Sequence, residues 1–370
     1  MEKKRFKFEE FWLTEDSCFE LVKESWESLT GLQSLNLLSR KLDKTRTVLE
    51  AWSSEKFGGL RKEIDKVSAQ LASFLDESLS AEVVDSRTTL KTKLYDLLQK
   101  EHTFWRQRAK VFWLRDGDLN TKFFHQKTKN RKKKNSIHGL FNSAGVWCSS
   151  PLNIETIVIS YFRELFTQSN SANCDNILGG MQSVISELDN EVLTRDIEKE
   201  EVLFALKGMH PSKSPGPDGF SPCFYQVFWE VVGNDVVAAV REFFASEAAV
   251  RKVNKTFVAL IPKVDEPQHM QQLRPISLCN VIYKIGSKVL ANRLKPFLDA
   301  IISPFQSAFV PGRLISDNSL MAFEVSRCLK KRRSGKVGYG ALKLDMSKAY
   351  DRVEWNFLEA VMQRLGFGGT

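Results

Sequence analysis

The sequence of residues 340–355, GALKLDMSKAYDRVEW, decides how the rest of the chain is interpreted. Its residues Ala341–Leu344 are typical of a short buried strand, which ends at a lone carboxylate, Asp345. A helix is predicted to follow, with Ser347 as its N-cap and Tyr350 on its buried stripe. A carboxylate at a strand exit suits a hard divalent cation, because the strand fixes the ligand and leaves room for phosphate oxygens. A plain strand–helix corner explains the same pattern, so this stretch alone leaves both interpretations open.

The composition sets the class of protein. The 370 residues are 42% hydrophobic and 27% charged, which is globular and large enough for two or three units. The net charge of +9 suits a polyanionic partner. Six scattered cysteines without a C-x-x-C pair argue against a zinc site and for a reducing compartment. No apolar run is long enough for a membrane span, so we expect no membrane partner and an intracellular protein, nuclear or cytoplasmic.

The first part of the chain is predicted to be mainly helical. Residues 5–12 alternate apolar and charged side chains, as a half-buried strand would, and residues 15–113 follow helical spacing. The apolar series from Phe57 to Phe74 steps by three and four residues, as a heptad seam does. Two long helices that fold back as an antiparallel hairpin are the simplest arrangement. Use of the seam for partner binding or dimerisation is the alternative.

The most basic part of the sequence follows these helices. Between residues 106 and 134 there are eleven Lys or Arg and two acidic residues, with aromatic side chains interleaved. Phosphates attract such cations, and unpaired bases stack on aromatic rings, so this pattern favours nucleic-acid contact. A solvated turn or a localisation signal is the alternative for the lysine run. The predicted contacts are Arg106, Arg108, Lys110, Arg131, Lys132, Lys133 and Lys134.

Short elements and a turn cluster come next. A small β-hairpin is predicted over residues 137–148, a helix over 154–166 and another over 197–208, with a polar linker at 167–180. The segment Ser212-Lys-Ser-Pro-Gly-Pro-Asp-Gly219 then combines proline, which fixes φ, with glycine, which permits left-handed backbone. Any loop can use such a turn, although here an aromatic helix follows it.

Two strands with a charged loop between them are predicted at residues 256–263 and 273–277. They place Lys263 and Arg274 on neighbouring strands. A lysine point charge and an arginine fork that point to one place can bind a triphosphate. Exposed strand-end charges are the alternative.

Taken together, these blocks over residues 205–365 resemble the reverse transcriptases of LINE-type (non-LTR) retrotransposons. The spacing of Trp, Gly-Asp and Phe-Phe-His over residues 101–125 is similar to the plant-type members. The resemblance implies an RNA template, a DNA primer or target, dNTP and Mg²⁺. It makes Asp345 catalytic, and a metal ligand together with the Met346 carbonyl. It also makes Tyr350 a steric gate against the ribose 2′-OH. It implies triphosphate contacts at Lys263 and Arg274, and template or primer contacts at Gly216, Pro217, Asp218, Gly219 and Arg313.

The implied fold class is α+β, a helical N-terminal region followed by fingers and a partial palm of a right-hand polymerase. The predicted segments are 1–14, the tail strand of a missing endonuclease domain; 15–150, a helical and basic linker region; 151–200, a helical connector; and 201–370, the reverse transcriptase domain. An ordinary N-terminal edge segment is the alternative for residues 1–14.

Polymerisation needs several carboxylates around two metal ions. The sequence contains no Asp-Asp dipeptide, which the family supplies after the Asp345 motif. We therefore expect a truncated enzyme, a nucleotidyltransferase by family, that is inactive alone. A non-enzymatic nucleic-acid-binding remnant and a helical interaction module are the alternatives.

Overall fold

A computed structural model describes residues 5–74, 81–110, 121–168, 178–332, 334–335, 337–346 and 348–369. The chain forms two compact units, each made of two separate stretches of sequence. Unit 1 contains Met1–Trp147 and Ile197–Ser287, and unit 2 contains Cys148–Asp196 and Lys288–Thr370. The two units do not coincide with the four predicted segments, because buried side chains near the N-terminus pack inside unit 1. The assignment of the predicted segments to domains stays a prediction.

Unit 1 begins with an extended segment and a short 3-10 helix. Residues 5–9 pair with no described strand, and Glu10–Thr14 form the 3-10 helix, so the strand predicted over residues 5–12 is wrong. The pattern arises because Phe8, Phe11 and Trp12 are buried among other side chains, while Arg5 and Lys7 are exposed and Glu9 is buried against Arg108. The ring of Phe8 packs edge-on against Phe224, with centroids 5.3 Å apart. Residues 5–14 are therefore part of the unit 1 core.

Four helices cover the region in which two were predicted: α1 (Asp16–Glu27), α2 (Leu35–Phe57), α3 (Leu60–Ser73) and α4 (Ala81–Ala109). The side chain of Ser34 caps α2 by accepting a hydrogen bond from the N–H of Leu37. Helix α3 packs on α4, and the ion pairs Arg61–Glu101 and Lys93–Glu63 lie between them. Two residues of the predicted seam, Ile64 and Val67, are buried inside unit 1. This part of the seam is used within the chain.

The rest of unit 1 surrounds an aromatic core. Its elements are α5 (Thr121–Lys134), β1 (Leu140–Phe141), β2 (Trp147–Cys148), α8 (Lys199–Lys207), α9 (Pro222–Val227), α10 (Trp229–Ala245) and α11 (Glu247–Val253). Strands β1 and β2 form the predicted small hairpin. Phe220, Phe224 and Phe228 are buried in the core beside Trp26. Because the apolar side chains of α9 and α10 pack in this core, these helices fix the position of the loop that precedes α9.

A second antiparallel hairpin is formed by β3 (Phe257–Pro262) and β4 (Leu273–Leu278). The register pairs Ile261 with Arg274 and Pro262 with Leu273. The N–H of Lys263 donates to the carbonyl of Gln272 at 2.8 Å, which extends the ladder past the proline. Both predicted strands are confirmed.

Unit 2 is mostly helical in its described residues. It contains α6 (Pro151–Phe166), α7 (Glu187–Thr194), α13 (Leu298–Ile301), α14 (Ile315–Lys331) and α15 (Trp355–Leu365), while α12 (Val281–Leu294) begins in unit 1. The carbonyl of Leu365 accepts the N–H groups of Val184 and Ile185, both at 2.9 Å. Asn190 donates to the carbonyl of Gly366 at 2.8 Å. These bonds hold the end of α15 against the segment that leads into α7.

The strand predicted over Ala341–Leu344 is wrong. Residues 341–346 have no regular structure, and Leu342 and Leu344 are 84% and 81% exposed. A strand needs a neighbour for its backbone hydrogen bonds, and none of the described strands pairs with this segment. Across the described ranges, every helix is too short or too polar to cross a bilayer.

Candidate nucleotide and nucleic-acid site

The β3–β4 hairpin presents two cations at one end. Arg274 is exposed on β4, opposite Ile261, and Lys263 is exposed one residue after β3. The Nζ of Lys263 donates to the carbonyl of Gln271 at 2.9 Å. A lysine ammonium has three donors, so this bond leaves two for a ligand. Arg274 thus lies on β4 and Lys263 just past the end of β3, while the triphosphate role of both stays a prediction.

The turn at Gly216–Gly219 is packed too closely for other residues at its glycines. The N–H of Gly219 donates to the carbonyl of Gly216 at 3.1 Å, and Gly219 has φ +83°. A Cβ on Gly219 would lie 2.5 Å from the ring of Phe6, and one on Gly216 would lie 2.3 Å from Oδ1 of Asn280. Steric fit within unit 1 therefore requires glycine at both positions. A template or primer contact here, as for Pro217 between them, stays a prediction.

Two lysines that are distant in sequence hold the same loop. The Nζ of Lys284 donates to the carbonyl of Ser214 at 3.0 Å, and the Nζ of Lys110 donates to the carbonyl of Ser212. Burial lowers the pKa of Lys110 to about 8 and also lowers the pKa of Lys284. Lys110, predicted to contact nucleic acid, is thus engaged inside unit 1.

Asp218 sits in the turn between these lysines. Its N–H donates to Oδ1 of Asn280 at 3.2 Å, and its own Oδ1 accepts the N–H of Phe220 at 3.1 Å. Burial raises the pKa of the Asp218 carboxyl to about 7, and the Phe220 N–H and the Lys284 charge oppose that rise. The carboxyl therefore titrates near neutral pH.

Arg313 is surrounded by partners in unit 2. Its guanidinium donates to the carbonyls of Ser303 and Gln306 at 2.6 and 2.7 Å, and pairs with Asp299 at 2.9 Å. The nearby Gly312 has φ +79°, which lets the chain turn back on itself. These bonds close the loop before α14, and the template or primer contact stays a prediction.

The residues around Asp345 are open to solvent. Asp345 is exposed, Met346 is 71% exposed and Tyr350 is 77% exposed. The Tyr350 ring lies edge-on to Phe309, with centroids 5.8 Å apart. Ser347, the predicted N-cap, lies outside the described residues. Asp345 and Tyr350 belong to unit 2, whereas Lys263 and Arg274 belong to unit 1, and each set is described by itself.

The residues present do not fit the implied Mg²⁺. Within the part of the chain that the structure describes, no three His, Cys, Asp or Glu side chains are grouped so that they can hold a metal ion. A single exposed carboxylate supplies too few ligands for Mg²⁺, which prefers octahedral oxygen coordination.

The basic region divides into engaged and exposed cations. Arg108 pairs with Glu9 at 2.9 Å and lies over the ring of Phe104. Arg106 is half-buried on α4. Helix α5 carries its cations on an exposed surface, and its single fully buried side chain among those described is Phe124. The exposed members are Lys122, Lys127, Lys129, Arg131, Lys132, Lys133 and Lys134.

Sequence reasoning missed the partners of the glycine turn. Asn280 and Lys284 lie more than sixty residues after it, and Phe6 lies more than two hundred before it. Lys284 is half-buried against Ser214, although a lysine on an amphipathic helix usually lies on the solvent face. No local signal distinguishes such a lysine from an exposed one.

Comparison with known proteins shows which proteins this chain resembles. Residues 261–370 match the model of the reverse transcriptase (RNA-dependent DNA polymerase) family, and the match begins within β3. The transposon TX1 uncharacterized 149 kDa protein of Xenopus laevis is 28% identical over 96% of this chain and 26% of its own length. The Pol polyprotein of retrotransposable element R2DM from Drosophila melanogaster is 25% identical over 61% of the chain and 20% of its own length. The R2 Pol polyprotein of Popillia japonica is 28% identical over 46% and 23%.

Residues 261–370 are therefore a reverse transcriptase domain. The family match and the retrotransposon relatives together support a reverse transcriptase of a LINE-type (non-LTR) element, and the chain spans about a quarter of the length of the TX1 protein. The similarity to plant-type members stays a prediction.

Proposed function

We propose that this chain supplies the nucleotide-binding fingers of an RNA-directed DNA polymerase, and that the β3–β4 hairpin holds the triphosphate of the incoming dNTP. The observation that supports this most is the register of the hairpin. It fixes Arg274 opposite Ile261 and leaves Lys263 just beyond the last pair, with both side chains exposed. Arginine offers a planar fork to phosphate oxygens and lysine a point charge, so the two together suit a polyanion.

Binding of a fluorescent deoxynucleoside triphosphate, followed by anisotropy, tests this role. We expect Lys263→Gln and Arg274→Gln each to weaken binding by roughly tenfold or more, because each removes a charge-assisted hydrogen bond. The matched control is Lys255→Gln, which removes an exposed charge just before β3. An equal loss in the control, or no loss in either hairpin variant, would contradict the proposal.

The finer architecture is also part of the proposal. Helices α3 and α4 form the antiparallel hairpin, supported by their two ion pairs. The glycine turn, α8 to α10 and the β3–β4 hairpin form fingers, and the segment from α14 to α15 is the partial palm. The assignment of residues 1–14 to the tail of an endonuclease domain stays a prediction. The intracellular location of the protein also stays a prediction.

The family match implies a polymerase that depends on a divalent metal. It also implies a nucleic-acid template and dNTP as substrates. We propose that the chain as it stands does not polymerise, because its described residues provide Asp345 without the other carboxylates of a two-metal site. Incubation of the purified chain with a primed RNA template, dNTP and Mg²⁺ tests this. Template-dependent extension of the primer would refute it.

A second role, nucleic-acid binding through α5, has its own support. This helix carries seven Lys or Arg and no acidic residue, and all seven are exposed. Such a surface suits phosphates, and binding through it weakens steeply with salt. Equal binding at low and high salt would argue against it.

A further inference from the structure

We infer that the C-terminal end of α5 and the β1–β2 hairpin form one surface that binds single-stranded nucleic acid. Cations of α5 contact the phosphates, and aromatic rings of the hairpin stack on unpaired bases. The inference rests on the proposed nucleic-acid role of α5 and names its ligand as a single strand. The α5–hairpin surface consists of Arg131, Lys132, Lys133, Phe141, Trp147 and His269, all in unit 1.

The end of α5 lies against the loop of the β3–β4 hairpin. The Nζ of Lys134 pairs with Oδ1 of Asp265 at 3.0 Å, and both side chains remain largely exposed. Asp265 therefore pairs with Lys134. The three cations that precede Lys134, at residues 131–133, are exposed and have no described acidic partner. The basic helix and the triphosphate-binding hairpin are therefore neighbours within one unit.

The β1–β2 hairpin is attached to the same loop. The N–H of Phe141 donates to the carbonyl of Gln268 at 2.9 Å. The ring of Phe141 stacks on His269, with centroids 5.2 Å apart and planes 26° apart, and Trp147 packs edge-on to Phe141 at 5.1 Å. Three rings thus form a cluster on the same loop that Lys134 reaches from the basic end of α5.

Trp147 is both exposed and held in place. Its side chain is 45% exposed. A Cβ on Gly139 would lie 2.3 Å from Cζ2 of Trp147, so the indole rests directly on the glycine backbone. A large ring that is packed on one side and open to solvent on the other is already ordered for stacking, which lowers the entropic cost of binding.

The rings decide between a single strand and a duplex. Cations alone attract the phosphates of either form. Duplex bases are already stacked on each other, whereas the faces of unpaired bases are free to stack on aromatic side chains. The combination of cations and exposed rings therefore favours a single strand.

Anisotropy with a labelled single-stranded RNA and the matching RNA duplex tests the inference. Trp147→Ala should weaken single-strand binding from about fivefold to more than a hundredfold, the range for loss of one stacked base, and leave duplex binding nearly unchanged. Trp147→Phe should keep most of the affinity, because it keeps an aromatic face. Trp355→Ala, which removes a 79% exposed indole in unit 2, is the matched control and should change neither.

A charge variant separates this inference from the function on which it rests. Replacing Arg131, Lys132 and Lys133 together with Gln should weaken both ligands and reduce the log–log salt slope for the single strand by about 2. If this variant binds like the wild type, the nucleic-acid role of α5 is wrong. If it loses binding while Trp147→Ala keeps full single-strand affinity, only the single-strand inference is wrong.

Folding of the Trp147 variants is checked by circular dichroism. If Trp147→Ala unfolds, His269→Ala provides the test, because His269 is exposed and contributes the next ring of the cluster. It should weaken single-strand binding and spare the duplex. Unchanged single-strand binding in that variant would overturn the inference.

Discussion

Replacing Lys41 with methionine tests the interaction that joins the N-terminal helices to α10. Asp235 on α10 accepts hydrogen bonds from Nζ of Lys41 and Nε1 of Trp26, both at 2.8 Å. The side chains of Lys41 and Asp235 are only 11% and 7% exposed. Methionine keeps the apolar part of the lysine but leaves the Asp235 carboxylate buried without its cation.

The expected loss is large relative to the total stability. Removing one partner of a buried pair costs about 3–5 kcal/mol, against about 5–15 kcal/mol for the unfolding of a whole domain. In the double variant Lys41→Met with Asp235→Asn, the amide oxygen still accepts the Trp26 N–H and no charge is buried. We therefore expect the double variant to recover at least about 2 kcal/mol.

Urea unfolding followed by circular dichroism measures these free energies. Lys44→Met is the matched control, since Lys44 is exposed on the same helix three residues further on; its expected change is within about 0.5 kcal/mol. A loss below about 1 kcal/mol for Lys41→Met, or strictly additive losses in the double variant, would refute the reasoning.

Three further predictions concern the glycine turn and α5. Gly219→Ala should lower stability by about 2 kcal/mol or more, because φ is +83° and the new Cβ meets the Phe6 ring and carbonyl. Gly145 has φ +75° but open space around it, so Gly145→Ala is the control for backbone strain without a clash. In a thermal melt it should lose less stability than Gly219→Ala. Equal losses in the two variants would contradict the role of the clash. Because the folded-state pKa of Asp218 is raised to about 7, native protein binds more protons than unfolded chain between about pH 4 and 7, and stability falls across that window as pH rises. Asp218→Asn should remove that fall, about 1.4 kcal/mol per pH unit at most, and a pH-independent difference in urea midpoints would disprove it. Phe124→Ala removes the fully buried anchor of α5, so amide exchange in α5 should accelerate, whereas unchanged protection would show that α5 is held in another way.

The sequence predicted the elements whose signals are local. Strands β3 and β4 were located because an apolar run stops at Pro262 and resumes after a charged loop. The small hairpin was located by the turn residues near Asn142, whose Oδ1 accepts the N–H of Val146 at 2.9 Å. Both patterns lie within one short contiguous stretch of sequence, residues 256–277 for the first and 137–148 for the second.

Elements that depend on distant partners were predicted poorly. The run Ala341–Leu344 has strand propensity, yet no described strand pairs with it, and Leu342 and Leu344 remain exposed. At the N-terminus, alternation was read as a strand, although burial of Phe8 and Trp12 among core aromatics produces the same pattern. A strand propensity without a partner strand explains the first case, and tertiary packing that overrides the local pattern explains the second.

The candidate site was predicted in its residue types more than in its contacts. Arg274 lies on β4, and Lys263 lies one residue past the end of β3. Lys110 and Arg108 were expected to reach nucleic acid, but the structure gives them Ser212 and Glu9 as partners. A basic residue near a helix end has the same local sequence whether it faces solvent or a buried carbonyl.

The central claim is that Lys263 and Arg274 bind the triphosphate of a nucleotide. The most direct test is the ratio of affinities for a deoxynucleoside triphosphate and the corresponding monophosphate, measured for the wild type and for Lys263→Gln with Arg274→Gln. We expect a clear preference for the triphosphate in the wild type and a ratio near one in the double variant. An unchanged ratio in the double variant would contradict it.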